Sequence, residues 1–198
     1  MKYYLDISLL PDAEASLGFL WYKIYQQVHL AMVDMKTADG KSEIAIAIPL
    51  YKKNKHPLGG TLRLFAPTQK HFEVLDVSKW LSRFVDYVHC KSVREVPSAH
   101  SYIVMSRKQS KSYNQFKRQQ AYLIDQRLIH TNETEAQARQ HVEAKERPLR
   151  KLPFIHVNSL SSQSRYRLFI EKKEVKKEKK GEFNCYGLSL DGATVPSF

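Results

Sequence analysis

The sequence predicts an α+β protein. A ferredoxin-like domain over residues 1–97, in the order β-α-β-β-α-β, is followed by a smaller, basic α+β domain over residues 98–198. Three observations lead there. Apolar residues in the first half switch between a spacing of two, which suits strands, and a helical spacing, in that order. Pro97 closes the series. Charge also divides unevenly there: 13 Lys and Arg stand against 10 Asp and Glu before the boundary, and 19 against 10 after it, in a chain of net charge +12.

The elements follow from local pattern. Over Lys2–Leu10, Tyr3, Leu5, Ile7 and Leu9 share one face, as in a strand with one buried side, and Pro11-Asp12 stops it. Leu17, Leu20, Trp21, Ile24, Val28 and Ala31 then recur at helical spacing up to about Asp34. A second strand is expected over Glu43–Leu50, with Ile44, Ile46, Ile48 and Leu50 facing in. The Pro- and Gly-bearing loop Lys52–Gly60 turns into a third over Thr61–Phe65. Thr68–Tyr87 reads as helix, broken near Asp76–Ser78, and Val88–Val96 as the fourth strand.

Beyond Pro97 the pattern gives a strand at Tyr102–Lys108 and a helix from Tyr113 to His130. A second helix, near Glu133–Ala144, is capped by Asn132 or Thr134. Strands follow at Pro153–Val157, Arg165–Lys172 and Glu182–Leu188. The six lysines of Lys172–Lys180 read as a solvated hairpin tip.

Composition narrows the function. No apolar run approaches the roughly 18 residues that span a bilayer, so a soluble, cytoplasmic protein is expected and no membrane is a partner. Cys90 and Cys185 are read as reduced and packed. Scattered histidines and the lack of a C-x2-C pair argue against zinc, so no metal or other cofactor is expected. A sequence pI near 9.6 favours a polyanionic partner, with nucleic acid ahead of an anionic membrane.

Candidate chemistry lies in four places. The hydroxyl-rich Ser159–Ser164 runs into Arg165-Tyr166-Arg167, where guanidiniums and hydroxyls suit phosphate oxygens and Tyr166 suits a base; a half-exposed strand alternates in the same way. His29, at the margin of the first helix's apolar stripe, is a proton carrier or a packed bystander. If Arg107 and Gln109 lie on one strand, they share a face two residues apart, fit for neighbouring guanine and adenine edges; otherwise they form a polar edge. On the 113–130 helix, Gln115, Arg118, Gln119, Tyr122 and Gln126 gather on one side, opposite Phe116, Leu123, Ile124 and Leu128. That polar side suits a nucleic-acid groove or plain solvent.

Several short motifs occur in one order along the chain. They are Tyr4-Leu5-Asp6-Ile7 with Pro11-Asp12, His29, Ser106-Arg107-x-Gln109-x-Lys111-Ser112, Leu152-Pro153-Phe154, Ser159-x-Ser161, and Phe183-x-Cys185-Tyr186-Gly187-Leu188-Ser189. Together they resemble the CRISPR repeat endoribonucleases of subtype I-F. The likeness extends to Pro196-Ser197-Phe198, which stands where that family has a Pro-Trp-Phe-like ending. It implies a metal-independent cut at the base of a repeat hairpin, through attack by the 2′-hydroxyl, giving a 2′,3′-cyclic phosphate and a 5′-hydroxyl. It further implies that the enzyme keeps the 3′ stem-loop of the mature guide RNA as a subunit of a type I-F surveillance complex.

By the same resemblance, His29, Ser159 and Tyr186 match the catalytic set. Arg107 and Gln109 match the base-reading pair, and Tyr166 the aromatic that stacks on the end of the stem. Lys108, Lys111, Arg118 and Ser161 complete the expected RNA contacts. One departure stands out: the family's groove-binding helix is crowded with arginine, whereas residues 113–130 carry Lys117, Arg118 and Arg127 among glutamines. Lys108, Lys111, Arg147, Arg150 and Lys151 are expected to compensate. The alternative is a subunit that holds the hairpin without cutting it.

Overall fold

The computed structural model of the protein describes residues 1–98, 101–109, 113–143, 152–159 and 163–198, with the backbone alone given at 113–115. It is a mixed α+β structure. Strand β1 (Tyr3–Leu9) buries Leu5, Ile7 and Leu9 as its alternation predicts. Asp6, on the opposite face, is buried too, because Arg63 stands across from it in register and donates to both carboxylate oxygens, at 2.6 and 3.0 Å. Helix α1 (Leu17–Asp34) starts where the Ser16 hydroxyl accepts from the Phe19 amide, and it buries Leu20, Trp21, Ile24, Val28 and Ala31. The Trp21 indole N–H donates to the Gly59 carbonyl at 2.7 Å.

The strand expected over Glu43–Leu50 is interrupted. The Ser42 hydroxyl both accepts from the Ile44 amide and donates to its carbonyl, so β2 (Lys41–Ser42) stops and β3 (Ala45–Ala47) begins afresh. Ile44, Ile46 and Ile48 are buried as expected, but so are Ala45 and Ala47, which leaves β3 covered on both faces. Strand β4 (Thr61–Ala66) leads to α2 (Gln69–Leu75), which ends at Asp76 in a left-handed conformation, φ 39°. The Asp76 carboxylate then caps α3 (Val77–Trp80), and a 3-10 turn follows at Ser82–Phe84. The expected break near Asp76–Ser78 is this cap. The fourth expected strand divides into β5 (Val88–Cys90) and β6 (Arg94–Glu95), both paired with β1. The sheet runs β3-β4-β1-β5 with every neighbour antiparallel.

In the second half, β7 (Ser101–Lys108), α4 (Tyr113–His130) and α5 (Glu135–Glu143) lie close to their predicted spans. Strands β8 (Phe154–Asn158) and β9 (Arg165–Val175) follow, the latter running past its expected end at Lys172. Of the expected Glu182–Leu188 strand only β10 (Phe183–Asn184) forms, paired with β2. The chain then turns, because Gly187 adopts φ +69° and the Asn184 side chain accepts from the Tyr186 and Leu188 amides. Strand β11 (Val195–Ser197) was not expected. It holds Pro196 at the sheet edge, where a missing N–H costs nothing, and the order is β11-β7-β9-β8.

The compact units differ from the expected division at residue 97. One comprises Met1–Lys108 with Pro153–Phe198, and the other Gln109–Leu152. The first is continuous because its two sheets and α1 contribute to one buried apolar cluster, α1 lies against β8, and the Tyr51 hydroxyl donates to the Ile170 carbonyl at 2.7 Å. In the second, α5 is capped by Thr134, which exchanges hydrogen bonds with Gln137, and it buries Ala138 and Val142. The expected apolar side of α4 is only partly covered: Leu123 and Leu128 remain 36% and 39% exposed. Cys90 and Cys185 are free and half-buried. No helix among the described residues is long and apolar enough to cross a membrane.

Candidate active site

Helix α1 sets Tyr22, Gln26 and His29 on one stripe, by the spacing of successive turns. His29 is more buried than its place at the margin of the apolar stripe suggests, being only 6% exposed. Its ring lies flat on that of Tyr186, with centroids 4.3 Å apart and planes 11° from parallel. Its Nδ1 stands 3.0 Å from the Cys185 carbonyl oxygen. A carbonyl only accepts, so Nδ1 carries the hydrogen and the neutral imidazole keeps its lone pair on Nε2. Burial holds the His29 pKa below the usual imidazole value, and the bond to Cys185 offsets part of that fall. The neutral form therefore prevails at pH 7.

The stacking partner is itself fixed from three sides. Tyr25, fully enclosed in the core on α1, donates its hydroxyl to the Tyr186 carbonyl at 2.9 Å. The Asn184 side chain ties down the Tyr186 amide. At the far edge of the ring the hydroxyls of Tyr186 and Tyr166 lie 2.6 Å apart. Burial, then this bond, raises the Tyr166 pKa, so the phenol is neutral. Gly187 has no room for a side chain, because a Cβ there would lie 2.6 Å from Ile46 Cγ2.

Arg107, near the end of β7, spans the two tyrosines with its guanidinium carbon 5.7 Å from the Tyr166 centroid and 5.4 Å from that of Tyr186. It is exposed, and no ion pair among the described residues engages it. Ser159 follows β8, half-buried, and its amide donates to the Ser164 carbonyl at 2.9 Å. The residue before it is tied to α1. The Asn158 amide donates to Gln26 Oε1 at 2.8 Å, and Gln26 Nε2 donates to the Asn158 carbonyl at 3.4 Å, one helical turn from His29. His29, Tyr186, Tyr166 and Arg107 thus form one cluster, and Ser159 follows the residue that is tied to the same helix face.

The remaining expected residues stand elsewhere or outside the description. Gln109 is exposed just past the end of β7 and belongs to the second compact unit. Lys108 points to the opposite face of β7 and pairs with Glu171 at 3.1 Å. Arg118 is exposed on α4, also in the second unit. Lys111, Ser161, Arg147, Arg150 and Lys151 lie outside the described residues.

Four participants escaped the sequence reading: Tyr22, Tyr25, Gln26 and Asn158. Gln26 left a signal, as an amide one turn before His29 beside the apolar stripe of Trp21, Ile24 and Val28. Tyr25 left none, because a buried tyrosine on a core stripe looks like packing.

The family model described as "CRISPR-associated protein (Cas_Csy4)" matches residues 4–198. A "CRISPR-associated endonuclease Cas6/Csy4" of Escherichia coli (strain UTI89 / UPEC) is 34% identical over 203 residues, covering 100% of both chains. One of the same description from Pseudomonas aeruginosa (strain UCBPP-PA14) is 30% identical over 200 residues, again across 100% of both. A solved structure called "Characterization of a Cas6-related gene from Pyrococcus furiosus" aligns with 99% of this chain and 98% of its own, at 10% identity and a TM-score of 0.35, a likeness on which nothing rests.

Proposed function

Because the chain belongs to the family of CRISPR-associated proteins described as Cas_Csy4, matched from residue 4 to residue 198, we propose that the cluster around His29 is the cutting site of an endonuclease that processes CRISPR RNA. The stacked, tautomer-fixed His29 carries this reading. RNA brings its own nucleophile, the 2′-hydroxyl beside the scissile phosphate, so the protein has only to align it, remove its proton and stabilise charge. Nε2 of neutral His29 takes that proton, Ser159 holds the sugar hydroxyl, and Tyr186 fixes the imidazole plane. The new 2′-oxygen bond to phosphorus breaks the bond to the 5′-oxygen, which leaves with a proton taken from water, giving a 2′,3′-cyclic phosphate and a 5′-hydroxyl. No step calls for a metal.

Arg107 reads a guanine edge and Gln109 an adenine, while Tyr166 meets the terminal base pair of the stem. Lys108, Lys111, Arg118 and Ser161 hold phosphates. Labour divides at residue 97, since the imidazole comes from 1–97 and every RNA-reading candidate from 98–198. The ferredoxin-like reading of residues 1–97 is supported by the β3-β4-β1-β5 antiparallel order. After cutting, the protein keeps the 3′ stem-loop as a subunit of a cytoplasmic type I-F surveillance complex.

The deciding experiment incubates the protein with a CRISPR repeat hairpin in EDTA. A single cut, abolished by a 2′-deoxy substitution at the scissile nucleotide, is expected. Tight binding without products would identify a holding subunit instead, and loss of the cut in EDTA would refute the metal-free route.

A further inference from the structure

Strands β8 and β9 have two faces, and only one belongs to the site above. Tyr166, Leu168 and Ile170 point inward with Ile155 and Val157. The outer face carries Phe154, His156 and Asn158 across from Phe169, Arg167 and Arg165. Its rings and cations touch in sequence. Phe154 packs against Phe169 at 5.5 Å and His156 at 5.1 Å, and the Arg167 guanidinium lies 4.9 Å from the Phe154 ring. At the Asn158 end Arg165 lies 4.5 Å from the Tyr22 ring, whose hydroxyl accepts from the Asn158 side chain at 2.9 Å. Lys23 continues the row, 4.9 Å from Tyr22 and 5.6 Å from Phe19, which is 49% exposed.

Among the described residues, the cations of this row meet no carboxylate. None of the ion pairs among the described residues includes Lys23, Arg165 or Arg167, whereas Lys108, Lys172 and Lys173 on neighbouring positions all meet carboxylates. Burial, and after it these two arginines, hold the His156 pKa below its usual value. Exposed rings with interleaved cations match the chemistry of unpaired nucleotides, which offer a stacking face and a phosphate each. Duplex suits it poorly, because paired bases keep their faces covered. The row also starts at Asn158, the residue before Ser159, so it adjoins the proposed scissile phosphate on the side away from Tyr166.

We propose that the outer face of β8 and β9, continued by Tyr22, Lys23 and Phe19 of α1, binds unpaired RNA adjoining the base of the hairpin. This rests on the reading of the cluster as an RNA-cutting site. Either flank supplies the required chemistry, the strand entering the stem or the strand leaving the cut.

The test measures dissociation constants for three RNAs, each with a 2′-deoxy scissile nucleotide: the bare hairpin, and the hairpin with an unpaired oligouridine tail on its 5′ or its 3′ side. One tail is expected to tighten binding by roughly tenfold or more, and the tail that does so identifies the flank. Phe154→Ala should lose about tenfold on that tailed RNA, the low end for a lost base stack, and much less on the bare hairpin. The double variant Arg165→Gln/Arg167→Gln should bring the tailed-to-bare ratio near one and make the salt slope shallower by about 1.4, for two phosphates on a single strand. Equal affinity for bare and tailed hairpins would overturn this inference alone and leave the face to an acidic protein. Failure of the wild type to bind the bare hairpin would remove the parent reading and this one with it. An equal loss by the variants on all three RNAs would also overturn it, since stem phosphates would then be the target.

Discussion

Replacing Gln26 with methionine probes whether the tie between α1 and the β8 end positions the chemistry. The substitution keeps the volume and the helix propensity but removes both hydrogen bonds to Asn158, one good at 2.8 Å and one long at 3.4 Å. Each ordinary hydrogen bond contributes about 0.5–1.5 kcal/mol net, and the longer one sits at the low end, so stability should fall by about 1–2 kcal/mol. Ser159 comes directly after the released residue. A shift of about 1 Å between reacting groups typically costs on the order of 10²-fold in rate. Single-turnover cleavage of the repeat hairpin should therefore slow by about 10²-fold, while hairpin affinity stays within about threefold, because Gln26 is buried and meets no RNA in this reading. Urea unfolding, run in parallel, separates the two effects. An unchanged cleavage rate in a variant that has lost the stability would refute a positioning role and make the Asn158 tie packing alone.

His29→Ala should cut about 10²–10⁴-fold more slowly in single-turnover assays and bind the hairpin nearly as well; full cleavage would end its assignment as base. The His29 pKa is depressed by burial, so the unfolded chain takes up a proton more readily there. Its contribution to stability should fall as pH drops below about 6.5 and be fully lost below the folded value, giving wild type a steeper acid loss in urea titrations than His29→Gln. The same depression predicts that the cleavage rate stays level on acidification until below about pH 6.5. Arg107→Ala should weaken the cognate hairpin by roughly 1–3 kcal/mol and a scrambled stem much less, as filter binding would report. Gly187→Ala combines a left-handed residue, about 1–2 kcal/mol, with a Cβ driven into Ile46. It should lower the thermal midpoint and slow cleavage together; retention of both would mean that the turn relaxes freely.

The legible part of the fold was its strong periodicity. Helices α1 and α4 and strands β1, β4 and β7 lie where their patterns put them, because each has an apolar face long enough to set its phase. What failed depended on a single side chain competing with the ladder: Ser42 capturing Ile44, and Asn184 with Gly187 bending the chain after β10. Edge strand β11 is too short, and too disturbed by Pro196, to leave a pattern. At the site, His29, Tyr186, Tyr166 and Arg107 were found from motif order, and the structure brings them together. Gln109 lies just past the end of β7, where strand periodicity no longer sets which way a side chain faces. The outer face of β9 shows the other limit. Arg165, Tyr166 and Arg167 read as one surface in sequence, but a pleated strand sends the arginines to one side and the tyrosine to the other.

The imidazole near the front of the chain receives its anchoring carbonyl and its stacked ring from residues 185 and 186. A polypeptide that has not yet reached residue 186 therefore lacks both the carbonyl that fixes the imidazole tautomer and the ring that fixes its plane. Competence to cut would arrive only once that late segment has docked.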